Sequence, residues 1–369
     1  MVYLDYSATT PVNPHVLEQF TKNTVRFFAN PNSMHRLGQA ALFEINKATE
    51  SILNLFGLDD HELIYTSGAT EANNLAIKGY CMKHQEEGKH ILVSPYEHSS
   101  VVSAFRQLSD LGFDIDVIEA TKDGLITPDL LKSYIQEDTI FVSIGAINSE
   151  TGVSQDIEGI ASFLKNYPHL VFHTDATQAI GKKKYNLNDV DMISLAAHKF
   201  YGMKGIGCLL RKKSVLIESQ ISGGHSLSIY RSGTPATPLV LSLKDALQEI
   251  MATFDQDLTY VTRLNNLLVS SLKKLPQITI NSTKDSVPHI LNISILGHNS
   301  SDVQSFLSDQ DIYVSTQSAC SQNSSFSQII FKMTGDEARA RSSIRVSLSR
   351  LTKEEEIERF ILALKELCQ

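Results

Sequence analysis

Asp175 and Lys199 lie in one stretch of this chain and could together hold and activate an aldehyde cofactor. An apolar run, Leu170 to Phe172, leads into the aspartate, and the lysine follows His198 just ahead of a turn punctuated by Gly202, Gly205 and Gly207. A lysine amine can hold an aldehyde as a Schiff base. A carboxylate can keep a pyridine nitrogen protonated, so that the ring accepts electrons. The pair therefore points to pyridoxal phosphate, although a strand-end acid and a solvated surface lysine would read the same way in isolation.

A second chemical signal is Cys320, in the serine-rich, uncharged run STQSACSQNSSFS over 315–327. The functional reading is a thiol nucleophile that swings toward a bound cofactor and carries something away. The bland one is an incidental exposed cysteine. Cys81 and Cys208 lie on apolar segments and read as core residues. Cys368 is the penultimate residue and has no evident partner. The four cysteines form no CxxC pair, which argues against a zinc site or a disulfide framework.

The elements that must position these groups alternate. Strands are expected at Glu62 to Thr66, His90 to Ser94, from Asp114, from Thr139 and at Leu170 to Ala176, with helices between them. Short apolar runs alternating with helices indicate a parallel sheet covered on both faces, with ligands bound beyond the carboxyl ends of its strands. His98, Asn148, Glu150, Asp175 and Gln178 all follow such ends and are expected to converge there. The strand-turn-helix TSGATEANNLAIKG, 66–79, would present free backbone N–H groups and the Thr70 hydroxyl to a phosphate, although it is neither a Walker loop nor a GxGxxG fingerprint. His98 could stack on a cofactor ring or simply cap a helix. Asn148 and Gln178 could serve a ring oxygen, and Asn148 could equally orient substrate or close a turn.

Beyond Gly207 a long helical region from about Leu239 to Leu275 is expected. It leads into a final third with strands from His289, Ile312 and Ser343 and helices near Ser301 to Ser308 and Lys353 to Leu367. The expectation is an α/β chain with a large domain over 13–255 and a smaller α+β domain built from 1–12 and 256–369. With 369 residues, 42% hydrophobic and 20% charged, the composition is that of a soluble globular protein. A net charge of -8 without a long basic run gives no sign of nucleic-acid binding. The absence of a leader-like start or an 18-residue apolar stretch sets the expectation of a cytoplasmic protein that does not enter membranes.

Taken in order, YLDYSATTPV, NPNSMHRLG, TSGATEANNLAIKG, EHSSV, NSETG, HTDATQAIGK, AHKFYGMKGIG, RSGTP, SACS and SSIRVSLSR resemble the NifS/IscS-type cysteine desulfurases. These are fold-type I, pyridoxal-phosphate-dependent members of the class-V aminotransferase family. The resemblance implies a homodimer with Lys199 as the Schiff-base lysine, Asp175 on the pyridinium nitrogen and His98 stacked on the ring, with Lys199, Cys320 and His98 as the catalytic residues. It places Gln178 and Asn148 near the phenolic oxygen, and Ala69, Thr70 and His198 at the phosphate. Thr234 would reach the phosphate of a neighbouring subunit, Arg345, with Asn148, would hold the substrate, and Cys320 would take up sulfur as a persulfide. The implied reaction turns L-cysteine into L-alanine and passes sulfur to a protein acceptor, an iron–sulfur scaffold or a tRNA-thiolating enzyme. The short run after the last predicted helix favours the second of these. Selenocysteine lyase or a related aminotransferase is the alternative activity, and a non-catalytic scaffold paralogue the alternative of another kind. The chain departs from the family pattern at Thr316 and Gln317, where a glycine is common, at Ala196, where many members have serine, and at GGHSLSIY in place of GGQE ahead of RSGT.

Overall fold

A computed structural model describes residues 1–316 and 326–369. In chain order its elements are β1 (Val2–Tyr3), α1 (Pro14–Arg26), α2 (Arg36–Phe56), β2 (His61–Thr66), α3 (Ala69–Lys83), β3 (His90–Val93), α4 (Ser99–Asp110), β4 (Asp114–Val117) and α5 (Pro128–Lys132). They continue with β5 (Thr139–Ser143), α6 (Ile157–Leu164), β6 (Val171–Asp175), β7 (Met192–Ala196), β8 (Gly207–Lys212), α7 (Thr237–Ala252), α8 (Phe254–Leu272) and β9 (Ile278–Ile280). The remainder comprises β10 (Ile290–Ile295), α9 (Ser300–Asp309), β11 (Ile312–Tyr313), α10 (Gln328–Thr334), α11 (Glu337–Arg341), β12 (Ser343–Ser347) and α12 (Glu354–Leu367).

Among the described residues the central sheet has seven strands in the order β2-β8-β7-β6-β5-β3-β4. Strands β3 to β7 pair in parallel, and every residue of β3, β5 and β7 is buried, as expected of strands covered on both faces. β4 closes one edge with Asp114 and Asp116, charges that discourage further pairing. β8 is antiparallel to both β7 and β2, so the sheet is mostly rather than wholly parallel. That direction brings Gly207, at the start of β8, beside the carboxyl ends of β2 and β7, opposite Thr66 and Ala196.

The final third forms a three-stranded antiparallel sheet in the order β12-β10-β9, and β1 pairs in parallel with β11. The N-terminus is thus stitched to the C-terminal third before it crosses to the central sheet. The expected long helix is two helices, broken at Thr253. There the hydroxyl donates to Asp257 Oδ2 at 2.6 Å, with Glu249 O at 3.3 Å, while accepting from Arg350 Nη1, and these contacts tie α7 and α8 together at the break. No described helix is long and apolar enough to cross a membrane. Cys81 and Cys208 are fully buried in the core, as their apolar segments indicated.

Candidate active site

The carboxyl ends of β2, β3, β5, β6 and β7 open on one cleft of about 600 Å³, a size suited to a small-molecule cofactor with its substrate. α3 starts at this rim. Its N-cap, Gly68, supplies no side-chain acceptor, so first-turn N–H groups at Ala69 and Thr70 face the cleft as an anion site with the helix dipole behind them. The close approach that forms this rim depends on Gly207, where a Cβ would stand 2.5 Å from the Leu195 carbonyl oxygen and 2.7 Å from Gly68 Cα.

Asp175 ends β6 inside the cleft. Its Oδ2 accepts from Asn73 Nδ2 at 2.8 Å and its Oδ1 from the Thr177 amide at 2.9 Å, which fixes the carboxylate while leaving it lone pairs for a ring N–H. Lys199 sits in the tight connection between β7 and β8. Its Nζ donates to the carbonyls of Ser7 at 2.7 Å and Ala8 at 2.8 Å. The N-terminal segment is pinned alongside by Thr10, whose amide and hydroxyl both donate to His198 O, and by the Tyr201 amide donating to the Thr10 hydroxyl at 2.7 Å. Tyr201 itself has φ of 65°, a left-handed conformation uncommon for a side-chain-bearing residue, held two positions after the lysine.

The other expected residues divide. His98, Gln178, Asn148, His198 and Arg345 all line the cleft. His98 is also the N-cap of α4 and accepts the Ser100 amide on Nδ1, so it does cap a helix while facing the cleft. His198 contacts the Thr9 hydroxyl at 3.2 Å, and burial, with Lys199 and Lys204 nearby, pushes its pKa down to about 4, keeping it neutral. The Asn148 amide donates to Tyr96 O, and its Oδ1 accepts from the amides of Glu150 and Thr151 and from the Thr151 hydroxyl. That cap reverses the chain after β5 and turns Glu150 away from the cleft: the glutamate is buried elsewhere and accepts from the Ser327 hydroxyl at 2.7 Å. Glu150 therefore does not join the convergence expected of it. Thr234 is exposed and borders a separate cavity with Arg231 rather than this cleft. Cys320 and Gln317 lie outside the described residues.

Arg345, on β12, is 2% exposed. Nη2 pairs with Asp5 Oδ1 at 2.6 Å and Nη1 donates to Ser149 O at 3.0 Å, whereas the buried Nε has no hydrogen-bond partner. A guanidinium held this way at the wall of the cleft can receive a carboxylate.

Several residues of the site were not singled out in the sequence. Glu97 lines the cleft and accepts the Gly145 amide at 2.6 Å; burial, with Asp175 nearby, pushes its pKa up to about 8. Its position next to His98 in EHSS was the available signal. Asn73 and Ser100 sit behind Asp175 and His98, and Lys182 lies beneath Gln178.

The donor set fits pyridoxal phosphate: an amine and a carboxylate in one cleft, a helix N-terminus for the phosphate and a stackable imidazole. The class-V aminotransferase family model matches residues 2–360. A protein of Vibrio vulnificus (strain YJ016) named cysteine desulfurase IscS is 38% identical over 366 residues, covering 97% of this chain and 90% of its own. A solved NifS-like protein superimposes with a TM-score of 0.92 at 31% identity, covering 99% of this chain and 98% of its own. Another solved structure, described as SspA in complex with cysteine, gives 0.83 at 31% identity, covering 96% of this chain and all of the other.

Proposed function

The chain belongs to the class-V aminotransferase family as an enzyme of its pyridoxal-phosphate-dependent cysteine desulfurase group, and from that premise we propose that it converts L-cysteine to L-alanine with transient persulfide formation on Cys320. The observation that carries this reading is the convergence of Asp175, Lys199 and the Arg345 guanidinium on one cleft.

Lys199 and Asp175 would hold the cofactor at its two ends, with Ala69, Thr70 and His198 around its phosphate and Gln178 near its ring oxygen. The bound cofactor supplies an electron sink that weakens the bonds around the α-carbon of an attached amino acid. Arg345, oriented by Asp5 and by the Ser149 carbonyl, binds the substrate carboxylate, and Asn148 shapes the wall beside it. The Lys199 amine, once free of the cofactor, is placed to take the proton from the α-carbon and later to return it. The Cys320 thiolate attacks the substrate sulfur, and the carbon–sulfur bond breaks with its electron pair moving toward carbon. Sulfur then passes to an acceptor, an iron–sulfur scaffold or a tRNA-thiolating enzyme.

We read the chain as a large domain over 13–255 and a small one from 1–12 and 256–369, an arrangement supported by the β1–β11 pairing. It acts as a homodimer in the cytoplasm. Exposed Phe28, Met34, Leu37 and Phe43 around the α1–α2 connection support a partner surface, and Thr234 would contribute to the partner's phosphate site.

The test is alanine production from L-cysteine by purified protein and by two variants. Lys199→Ala should lose turnover entirely. Cys320→Ser should keep bound cofactor, seen by its absorbance, yet lose alanine production; full activity in the serine variant would remove the thiol from the reaction. Assaying that variant on selenocysteine separates desulfurase from selenocysteine lyase, which can dispense with the thiol. Radiolabelled sulfur transfer to each candidate acceptor separates those partners.

A further inference from the structure

Behind the cleft a chain of hydrogen bonds runs from Asp175 to His98. Asn73 Nδ2 donates to Asp175 Oδ2 at 2.8 Å and to Ser100 Oγ at 2.9 Å, and Ser100 Oγ lies 2.8 Å from His98 Nδ1. The direction of each bond follows from chemistry. A carboxylate only accepts, so the Asn73 amide must turn its NH₂ toward Asp175, which leaves its buried Oδ1 without a partner. Ser100 Oγ, accepting from that NH₂, has its own proton to give to His98 Nδ1. The Ser100 amide points at the same nitrogen from 3.2 Å, and an amide can only donate. Two donors therefore meet at Nδ1, which must be the unprotonated nitrogen.

We propose that Ser100, oriented by Asn73, is a positioning residue that keeps His98 neutral with its proton on Nε2, so that His98 faces the cleft as a hydrogen-bond donor and not as a base. Its placement as the N-cap of α4 works in the same direction, because the positive end of the helix disfavours an imidazolium. The charged groups around it divide: Asp175 favours protonation, Lys199 opposes it, and burial opposes it most, for a net lowering. Glu97, next to it in the chain, also lines the cleft. The consequence for the proposed desulfurase, on which this part rests, is that His98 does not take the substrate proton, which leaves that step to Lys199 as proposed above.

The experiment is nitrogen-15 NMR of the cofactor-loaded protein labelled at its histidine ring nitrogens, with His98 assigned by its loss in His98→Gln. Wild type should show a pyrrole-type signal for Nε2 and a pyridine-type signal for Nδ1 across neutral pH. Ser100→Ala, which loses the hydroxyl but keeps the weaker backbone amide donor, should move the two signals part of the way toward each other as the tautomers begin to mix, and Ser100→Thr, which keeps the hydroxyl, should restore the separation. A protonated Nδ1 in wild type, or signals unmoved in Ser100→Ala, would overturn the proposal. No substrate is present, so the readout stands whether or not the protein releases sulfur from cysteine.

Discussion

Lys182 reaches Gln178 through one buried hydrogen bond, Nζ to Oε1 at 3.0 Å, while the other end of Gln178 donates to Ser7 O at 2.9 Å. Ser7 O is also the carbonyl that receives Lys199. Burial, with the charges of Lys199 and Arg345, pulls the Lys182 pKa down to about 7. The unfolded chain binds this proton more tightly, so the contribution of Lys182 to stability rises with pH from about 7 toward the ordinary lysine value of 10.5.

Lys182→Met tests this. It leaves Gln178 Oε1 without its donor, a loss of about 1–3 kcal/mol for a buried acceptor, and it removes the rise with pH. Urea unfolding at pH 6 and pH 9 should show a deficit against wild type that is larger at the higher pH. A deficit independent of pH would mean that Lys182 titrates as a solvated amine.

Arg345→Lys should separate binding from chemistry. A lysine retains the charge that answers Asp5 but cannot serve Asp5, Ser149 O and a substrate carboxylate at once, because the planar fork is gone. KM for cysteine should rise roughly tenfold to a hundredfold, the equivalent of about 1–3 kcal/mol for a charge-assisted hydrogen bond, with a smaller change in kcat. Steady-state kinetics checks it. An unchanged KM would place the carboxylate elsewhere.

How far the site could be read from residues alone depended on whether a local pattern carried direction. Asp175 was legible because the apolar run ahead of it marks a buried strand whose end must lie at the rim, and Lys199 because it follows that aspartate in one stretch, just ahead of a glycine-punctuated turn. The same rule misled at Glu150, since it ignores the Asn148 cap that reverses the chain within two residues. The apolar run at Cys208 to Leu210 revealed a buried segment but not that β8 runs antiparallel, which depends on pairing with both β2 and β7. Helical periodicity across Thr253 concealed a break at which Arg350, almost a hundred positions away in the chain, donates to the Thr253 hydroxyl. Asn73, Ser100 and Lys182 act on other side chains rather than on a ligand, and no spacing rule points to such contacts.

Glu97→Gln should flatten one part of the pH dependence of stability. The folded pKa of about 8 lies above the ordinary carboxyl value of 4.5, so the native state holds this proton more tightly, and stability falls as pH rises between the two values. Depressed histidines such as His198 act oppositely below about 6.5, so the variant must be compared with wild type at each pH. A Cβ on Gly145 would stand 3.2 Å from Glu97 Oε2, so the carboxyl is enclosed by the turn it binds. Glutamine mimics the protonated acid there. The variant should gain on wild type between pH 6.5 and 8 in chemical denaturation, and parallel curves would show that Glu97 is already ionised.

Gly207→Ala should weaken cofactor binding more than it weakens the fold. The added methyl would meet backbone, the Leu195 carbonyl and Gly68 Cα, and neither can step aside as a side-chain end could. The lighter obstacle is the Ser67–Gly68 turn at the rim of the cleft, because Leu195 is a fully buried residue in the middle of the sheet. Moving that turn displaces the first N–H groups of α3 from the phosphate position, and the anion site depends on their aim. The apparent Kd for pyridoxal phosphate, from absorbance titration of stripped protein, should rise on the order of tenfold, about 1.4 kcal/mol. Thermal unfolding of the stripped variant separates the two effects: a large loss there with unchanged cofactor affinity would mean that β8, and not the phosphate turn, had given way.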